Sequence, residues 1–184
     1  DTHSASQWQV TTTSGDYSSP VFNSGTDTAN LTQITIPAGT LNYGTTYCWR
    51  VKYQDNHGAW SDWSVETSFT TQLALTISAM IDSYSAYPTE VAVGSSTTLT
   101  LSFTNTGNTF WTFYAAASLR KPDGTEVNLP VKPITLDPSQ HGSAQWDYTI
   151  ETEGNWDIVF GIWKESSQET PIGQTGWLTG YIVG

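Results

Sequence analysis

Apolar and polar positions along the chain alternate mostly with a period of two, and no segment sustains the 3.6-residue period of an amphipathic helix. The clearest case is Tyr47-Cys48-Trp49-Arg50-Val51-Lys52-Tyr53. Tyr47, Trp49, Val51 and Tyr53 share one face and Cys48, Arg50 and Lys52 the other, so the first set is expected to face a core. Trp146, Tyr148 and Ile150 form a second alternating set, and Trp156, Ile158, Phe160 and Ile162 a third. In the first half the pattern predicts strands over 6–12, 20–23, 31–36, 46–54 and 66–71. In the second it predicts them over 75–81, 97–105, 111–120, 126–129, 134–136, 143–150, 156–164 and 177–183. Asp55-Asn56-His57-Gly58, Asn105-Thr106-Gly107-Asn108 and Lys121-Pro122-Asp123-Gly124 supply turn chemistry between strands.

The elements fall into two β-rich halves joined near Thr71-Gln72-Leu73-Ala74, giving expected domains over 1–72 and 73–184. About 110 residues suit a complete sandwich in the second half. The short apolar linker predicts limited freedom between the two. The fold class expected is all-β, two tandem β-sandwiches.

Composition narrows the functional classes. The 184 residues hold 6 Lys+Arg against 17 Asp+Glu, a formal net charge of −11, with 13% aromatic residues and only 12% charged. Nucleic acid is not expected as a partner for so few cations, because phosphate neutralisation drives that binding. No apolar run approaches the roughly 20 residues of a helical membrane span. The single Cys48 has no partner for an internal disulfide, so the fold must rest on its cores. The opening Asp1-Thr2-His3-Ser4 carries no secretory signal and suggests a processing boundary.

The residues Ser6-Gln7-Trp8-Gln9-Val10, Ile36-Pro37-Ala38-Gly39-Thr40-Leu41, Thr46-Tyr47-Cys48-Trp49-Arg50-Val51 and Ser68-Phe69-Thr70-Thr71 resemble a fibronectin type III domain of secreted prokaryotic proteins. That resemblance implies a tyrosine corner built by Leu41 and Tyr47, with the phenol returning to nearby backbone. It also aligns residues 6–10 with the third strand of the family, so the first two strands have no counterpart and the domain is expected to be incomplete. Such a sheet exposes an inner face and an open edge, to be covered by upstream chain, or by strands from an identical subunit. Trp60-Ser61-Asp62-Trp63-Ser64 resembles the Trp-Ser-x-Trp-Ser box of cytokine-receptor fibronectin domains. It implies a structural ladder in which Arg50 and Lys52 stack between Trp60 and Trp63. A receptor role is not expected, since the paired cysteines of those ectodomains are absent.

Val93-Gly94-Ser95, Thr104-Asn105-Thr106-Gly107-Asn108 and Gly154-Asn155-Trp156-Asp157-Ile158 make the second half similar to immunoglobulin-like modules of prokaryotic surface proteins, including CARDB-type domains. Trp111, Trp156, Trp163 and Trp177 are also similar to the pattern of a Trp-rich immunoglobulin-like domain of selective-autophagy receptors. Modules of these kinds are spacers or binders, and their fold alone licenses no chemistry.

The chemistry-bearing residues point the same way. His3, His57 and His141 lack a Cys or His partner at metal-ligand spacing, and no nucleophile elbow, phosphate loop or zincin motif occurs, so neither an enzyme nor a cofactor is expected. A loop calcium site would have to draw on Asp55, Asn56 or Asp62. Aromatic residues are the more suggestive feature, because sugars stack on exposed rings. Of Tyr84, Tyr87, Trp111, Phe113, Tyr114, Trp163 and Trp177, alternation turns Tyr114 and Trp163 away from the core, making them the expected glycan contacts. Asn30-Leu31-Thr32 is a glycosylation sequon, which makes Asn30 a possible modification site. The function expected is a non-catalytic extracellular or cell-surface spacer or adhesion module of a larger protein. The alternatives are a filament or surface-layer subunit completed by strands of its neighbour, and a carbohydrate-binding accessory module. The partners are then neighbouring domains, identical subunits or a polysaccharide.

Overall fold

The computed structural model describes residues 1–184 as strands, turns and irregular chain, with no helix. It divides into two compact units, Asp1–Ala74 and Leu75–Gly184.

Unit 1 contains β1 (His3–Thr11), β2 (Phe22–Asn23), β3 (Thr46–Asp55) and β4 (Thr67–Thr70). They form one antiparallel sheet in the order β2-β1-β3-β4. In the β1–β3 register Trp8 faces Val51 and Val10 faces Trp49, while Gln9 faces Arg50 and Gln7 faces Lys52. Apolar and polar residues are thereby sorted to opposite faces. The apolar face is covered by irregular chain rather than by a second sheet. Ser6 Oγ donates to the Leu31 carbonyl at 2.5 Å and Trp8 Nε1 to the Asn30 carbonyl at 3.3 Å.

The strand expected over 31–36 is therefore not formed. Its alternation survives in half-buried Ile34 and Ile36, which line a hollow beside Trp8 and Trp49. No neighbouring strand pairs with it, and of its carbonyls that of Leu31 is taken by a side chain, Ser6 Oγ, instead. Incomplete cover also corrects the expectation that the whole Tyr47–Tyr53 set is core. Tyr47 and Val51 are buried and Trp49 is half-buried, but Tyr53 is 44% exposed with only the His3 ring packed edge-on at 4.8 Å.

Unit 2 is a two-sheet sandwich. Its strands are β5 (Ala79–Tyr87), β6 (Ser96–Asn105), β7 (Trp111–Arg120), β8 (Glu126–Asn128), β9 (Lys132–Leu136), β10 (His141–Thr149), β11 (Asn155–Trp163), β12 (Pro171–Gln174) and β13 (Leu178–Val183). One sheet runs β10-β6-β5, and the other has β11 and β7 at its centre, flanked by β12 and β13 on one side and β8 and β9 on the other. Strict alternation along β6 buries Thr97, Leu99, Leu101, Phe103 and Asn105. These meet Phe113, Trp146, Trp156, Ile158, Phe160 and Ile162 in a single core. Phe103 and Phe113 pack edge to face at 5.8 Å, and the buried Trp146 indole donates to the Pro130 carbonyl at 2.7 Å.

Two strands depart from the sequence reading. The first strand of unit 2 lies over Ala79–Tyr87 rather than 75–81, and a register shift between Ile81 and Ser83 breaks the period that would reveal it. The four-residue β12, with its Pro and Gly, sits at a sheet edge, where a missing ladder donor is tolerated.

Asn105 is the polar exception inside the core. It is fully buried, and its Nδ2 donates to the carbonyls of Thr109 at 2.9 Å and Leu136 at 3.0 Å while Oδ1 accepts the Gly107 amide at 2.9 Å. Replacing it removes the side-chain partner of the Thr109 and Leu136 carbonyls and leaves the Gly107 amide only the Ser78 carbonyl, at 3.1 Å. Asn105→Ala is expected to destabilise unit 2 by about 2–4 kcal/mol, measured by chemical denaturation followed through Trp fluorescence.

Candidate functional site

Two surfaces concentrate the aromatic residues singled out by the sequence. The first is the polar face of the unit 1 sheet. Tyr17, Arg50, Trp63, Lys52 and Trp60 interleave there. The Arg50 guanidinium lies 3.9 Å from the Tyr17 ring centre and 4.2 Å from that of Trp63, and Lys52 Nζ lies 4.9 Å from Trp63 and 4.5 Å from Trp60. Main-chain geometry holds the Trp-Ser-x-Trp-Ser segment in place. Ser61 donates its amide to the Tyr53 carbonyl at 2.8 Å and accepts the Tyr53 amide on its hydroxyl at 3.0 Å. Ser64 does the same for Val51, at 2.8 and 3.1 Å. The two serines thus replace a strand ladder and set the indoles two rungs apart along β3.

The far end of the ladder is fixed by residues the sequence reading did not single out. Gln9 Oε1 accepts both Arg50 Nε (3.0 Å) and Nη2 (2.7 Å). Glu66 accepts Ser14 Oγ at 2.6 Å, the Gly15 amide at 2.9 Å and the Tyr17 hydroxyl at 2.8 Å. These donors, Ser14 first, pull the Glu66 carboxyl down from its ordinary 4.5 to about 2. Partial burial, then Glu66, push the Tyr17 phenol upward. Gln9 was legible as the outward neighbour of Arg50 across the ladder, but Tyr17 and Glu66 lie in segments with no periodic signal. Leu41 lies in the turn before β3 and Tyr47 is the second residue of that strand, where its buried phenol accepts the Asn42 amide at 2.8 Å.

The second surface is the outer face of the six-stranded sheet of unit 2. The β7–β11 register places Tyr114 opposite Trp163, Ala116 opposite Gly161 and Ser118 opposite Val159. Ala116 and Gly161 are both small, so the sheet has a depression where a residue pair would otherwise stand out. The Trp163 indole folds back over Gly161, and a Cβ at that glycine would meet its six-membered ring well inside van der Waals contact. Ala116 and Val159 are buried although they point away from the core. Trp177 stands across the depression, with the Arg120 guanidinium 3.9 Å from the ring centre. Arg120 is itself tied to Glu126 at 3.0 Å and to Asp157 at 3.7 Å.

The resulting hollow has a volume of about 380 Å³. Glu126, Asn128, Gln168 and Gln174 form its polar border. Asn128 Oδ1 accepts Ser118 Oγ at 2.7 Å, which leaves the Asn128 NH₂ without a protein partner. The side-chain amides of Gln168 and Gln174 have none either. The hollow therefore combines two held indoles with two unengaged carboxamides and the free NH₂ of Asn128.

The expected glycan contacts are thus neighbours in register yet line different hollows. Trp163 borders the depression shared with Trp177, whereas Tyr114 borders a separate one with Phe110 and Trp111. Both are half-buried. Among the other aromatic residues considered, Phe113 is fully buried, Trp111 donates its indole N–H to the Lys164 carbonyl at 3.0 Å, Tyr84 stacks on core Phe160 at 5.8 Å, and Tyr87 is 81% exposed. Asn30 is exposed, its amide donating to Asp27 Oδ2 at 2.9 Å.

The structure also brings ligand atoms of Asp1, Asp55 and His57 within 4.8 Å of one another. Asp55 Oδ1 already accepts the amides of His57 at 2.9 Å and Ala59 at 2.8 Å, as a turn carboxylate does. Asp62 is not part of the group. His3, His57 and His141 lie in separate places, His141 bonding Thr104 and Asp82.

Comparison with known proteins agrees with an immunoglobulin-like architecture. Residues 1–74 match the family model described as a Rha78A-like, N-terminal immunoglobulin domain. No curated protein matches the sequence. Among solved structures, the alkylpurine DNA glycosylase AlkC of Pseudomonas fluorescens, bound to DNA containing an abasic site analog, is 10% identical, with a TM-score of 0.45 over 56% of this chain and 30% of its own. A β-glucosidase from Erythrobacter marinus is 13% identical, with a TM-score of 0.45 over 56% of this chain and 15% of its own. The CARDB domain of a Pyrococcus furiosus protein, solved in complex with di-metal ions, is 16% identical, with a TM-score of 0.37 over 54% of this chain and 77% of its own. The chain thus spans under a third of the first two of these structures.

Two outcomes follow from the ladder. Trp63→Ala removes the one ring that touches both cations and is expected to cost unit 1 about 1–2 kcal/mol, read from its thermal unfolding midpoint. Glu66 has a folded pKa below its unfolded value, so its contribution is full above pH 4.5 and is lost as the pH falls through about 2. The melting-temperature difference between the parent chain and Glu66→Gln is expected to narrow across that interval.

Proposed function

We propose that the chain is a non-catalytic part of a larger extracellular or cell-surface protein, serving as spacer, scaffold or adhesive surface. The observation that carries this reading is the five-membered cation–aromatic ladder on an exposed sheet face. It reinforces a single-sheet module, which suits a part that bears load or holds a neighbour in position. The immunoglobulin domain match over residues 1–74 supports the same reading. The motif residues around Trp8, Leu41, Tyr47 and Trp60–Ser64 favour the finer type, a fibronectin type III-like module.

A second reading, self-assembly by strand addition, is favoured by β4, whose four residues are all exposed at the sheet edge, and by the apolar hollow around Trp8 and Trp49. A third, an accessory role in holding a polysaccharide, is favoured by the outward aromatic residues of unit 2. The first two readings separate in one set of measurements. Force spectroscopy on the full chain between reporter domains is expected to give discrete unfolding events, with a lower force for unit 1 in Trp63→Ala; unfolding with no resolvable force overturns the spacer reading. Light scattering after size exclusion is expected to find a monomer at micromolar concentration, whereas concentration-dependent oligomers would favour strand addition.

A further inference from the structure

We infer that the hollow between Trp163 and Trp177 on the outer face of unit 2 binds a neutral polysaccharide chain. The inference narrows the polysaccharide-holding reading and rests on it.

The argument starts from the two rings. Pyranose rings present faces of weakly positive C–H groups, which pack on the electron-rich face of an indole. Both indoles here are held before any ligand arrives. Trp163 is laid across Gly161, and Trp177 is backed by an Arg120 that two carboxylates immobilise. Little side-chain freedom is left to lose on binding. The depression between them exists because Ala116 and Gly161 are paired across β7 and β11, an arrangement that contributes no volume to the core.

The border decides the ligand class. Gln168 and Gln174 present carboxamides that the protein does not engage, and Asn128 presents its NH₂, its Oδ1 being held by Ser118. A carboxamide has a donor and an acceptor side by side, which suits the vicinal hydroxyls of a sugar. No cation is available to an anionic sugar, because Arg120 is spoken for by Glu126 and Asp157. The net charge of −11 adds repulsion for any acidic polymer. A hollow of about 380 Å³ on an outer sheet face has room for part of a sugar chain. A proline-rich peptide also docks between aromatic rings, but it has few groups for these amides to bind.

Affinity gel electrophoresis of the full chain tests this. Gels contain mixed-linkage β-glucan, galactomannan, arabinoxylan or amylose, with alginate and polygalacturonate as acidic polymers and a proline-rich peptide measured separately by titration. The expected result is retardation by at least one neutral polymer and by neither acidic one. Trp163→Ala and Trp177→Ala should each weaken it at least about tenfold, and Tyr114→Ala should leave it unchanged. Gly161→Ala is the second route to the same loss: it displaces the Trp163 ring while leaving the buried face of β11 intact, and an unaltered unfolding midpoint checks that the sheet persists. Retardation only by the acidic polymers, retardation lost with Tyr114→Ala but not with the tryptophan variants, or binding of the peptide alone overturns this site while leaving the wider reading standing in the first two cases. No retardation by any of the six polymers overturns both.

Discussion

The register between β7 and β11 is the constraint on which unit 2 depends. Side chains alternate sides at every residue, so a slip of one position would turn Phe113, Ile158, Phe160 and Ile162 out of the core. The same register sets Ala116 against Gly161 on the opposite face. Core and outer hollow are therefore two consequences of one pairing. β11 is buried on both faces from Ile158 to Ile162, which gives the central strand the continuous apolar cover usually reserved for strands between two layers.

Unit 1 solves a different problem. Its single sheet has irregular chain over one face, which supplies fewer apolar contacts than a second sheet would. The other face is reinforced by cations held between aromatic rings, with Gln9 and Glu66 securing the Tyr17–Arg50 end. Long Arg and Lys stems lie along the strands while their charges remain partly in water, so the sheet is covered without burying an unpaired ion. The two units thus reach order through opposite means, an apolar core in one and an amphipathic surface stack in the other.

Much of this was legible residue by residue. The alternation in Thr46–Asp55 assigned Arg50 and Lys52 to one face, and the resemblance of Trp60–Ser64 to a Trp-Ser-x-Trp-Ser box implied the rings that would meet them. The core pattern of Trp156, Ile158, Phe160 and Ile162 was equally direct, because each faces inward in an unbroken strand. Failures came where period two was interrupted or where alternation had no partner to act on. The shift between Ile81 and Ser83 hid β5, and residues 31–36 kept a strand's pattern without a strand's hydrogen bonds. Tyr17 and Glu66 reach the ladder from loops, whose conformation no periodicity encodes.

The sequence by itself determined the class of structure and the sorting of side chains to faces, because alternation is a local property of an extended backbone. It marked Trp163 as outward and grouped it with Trp177 only by resemblance and composition, without placing the two rings about one hollow or showing a small pair beneath. Those relations depend on which strands pair and in what register, a choice made by the burial of the whole core rather than by any one segment. Only the tertiary structure could decide that Ala116 meets Gly161, and a missing side chain on each of two strands becomes a hollow only when the two positions coincide.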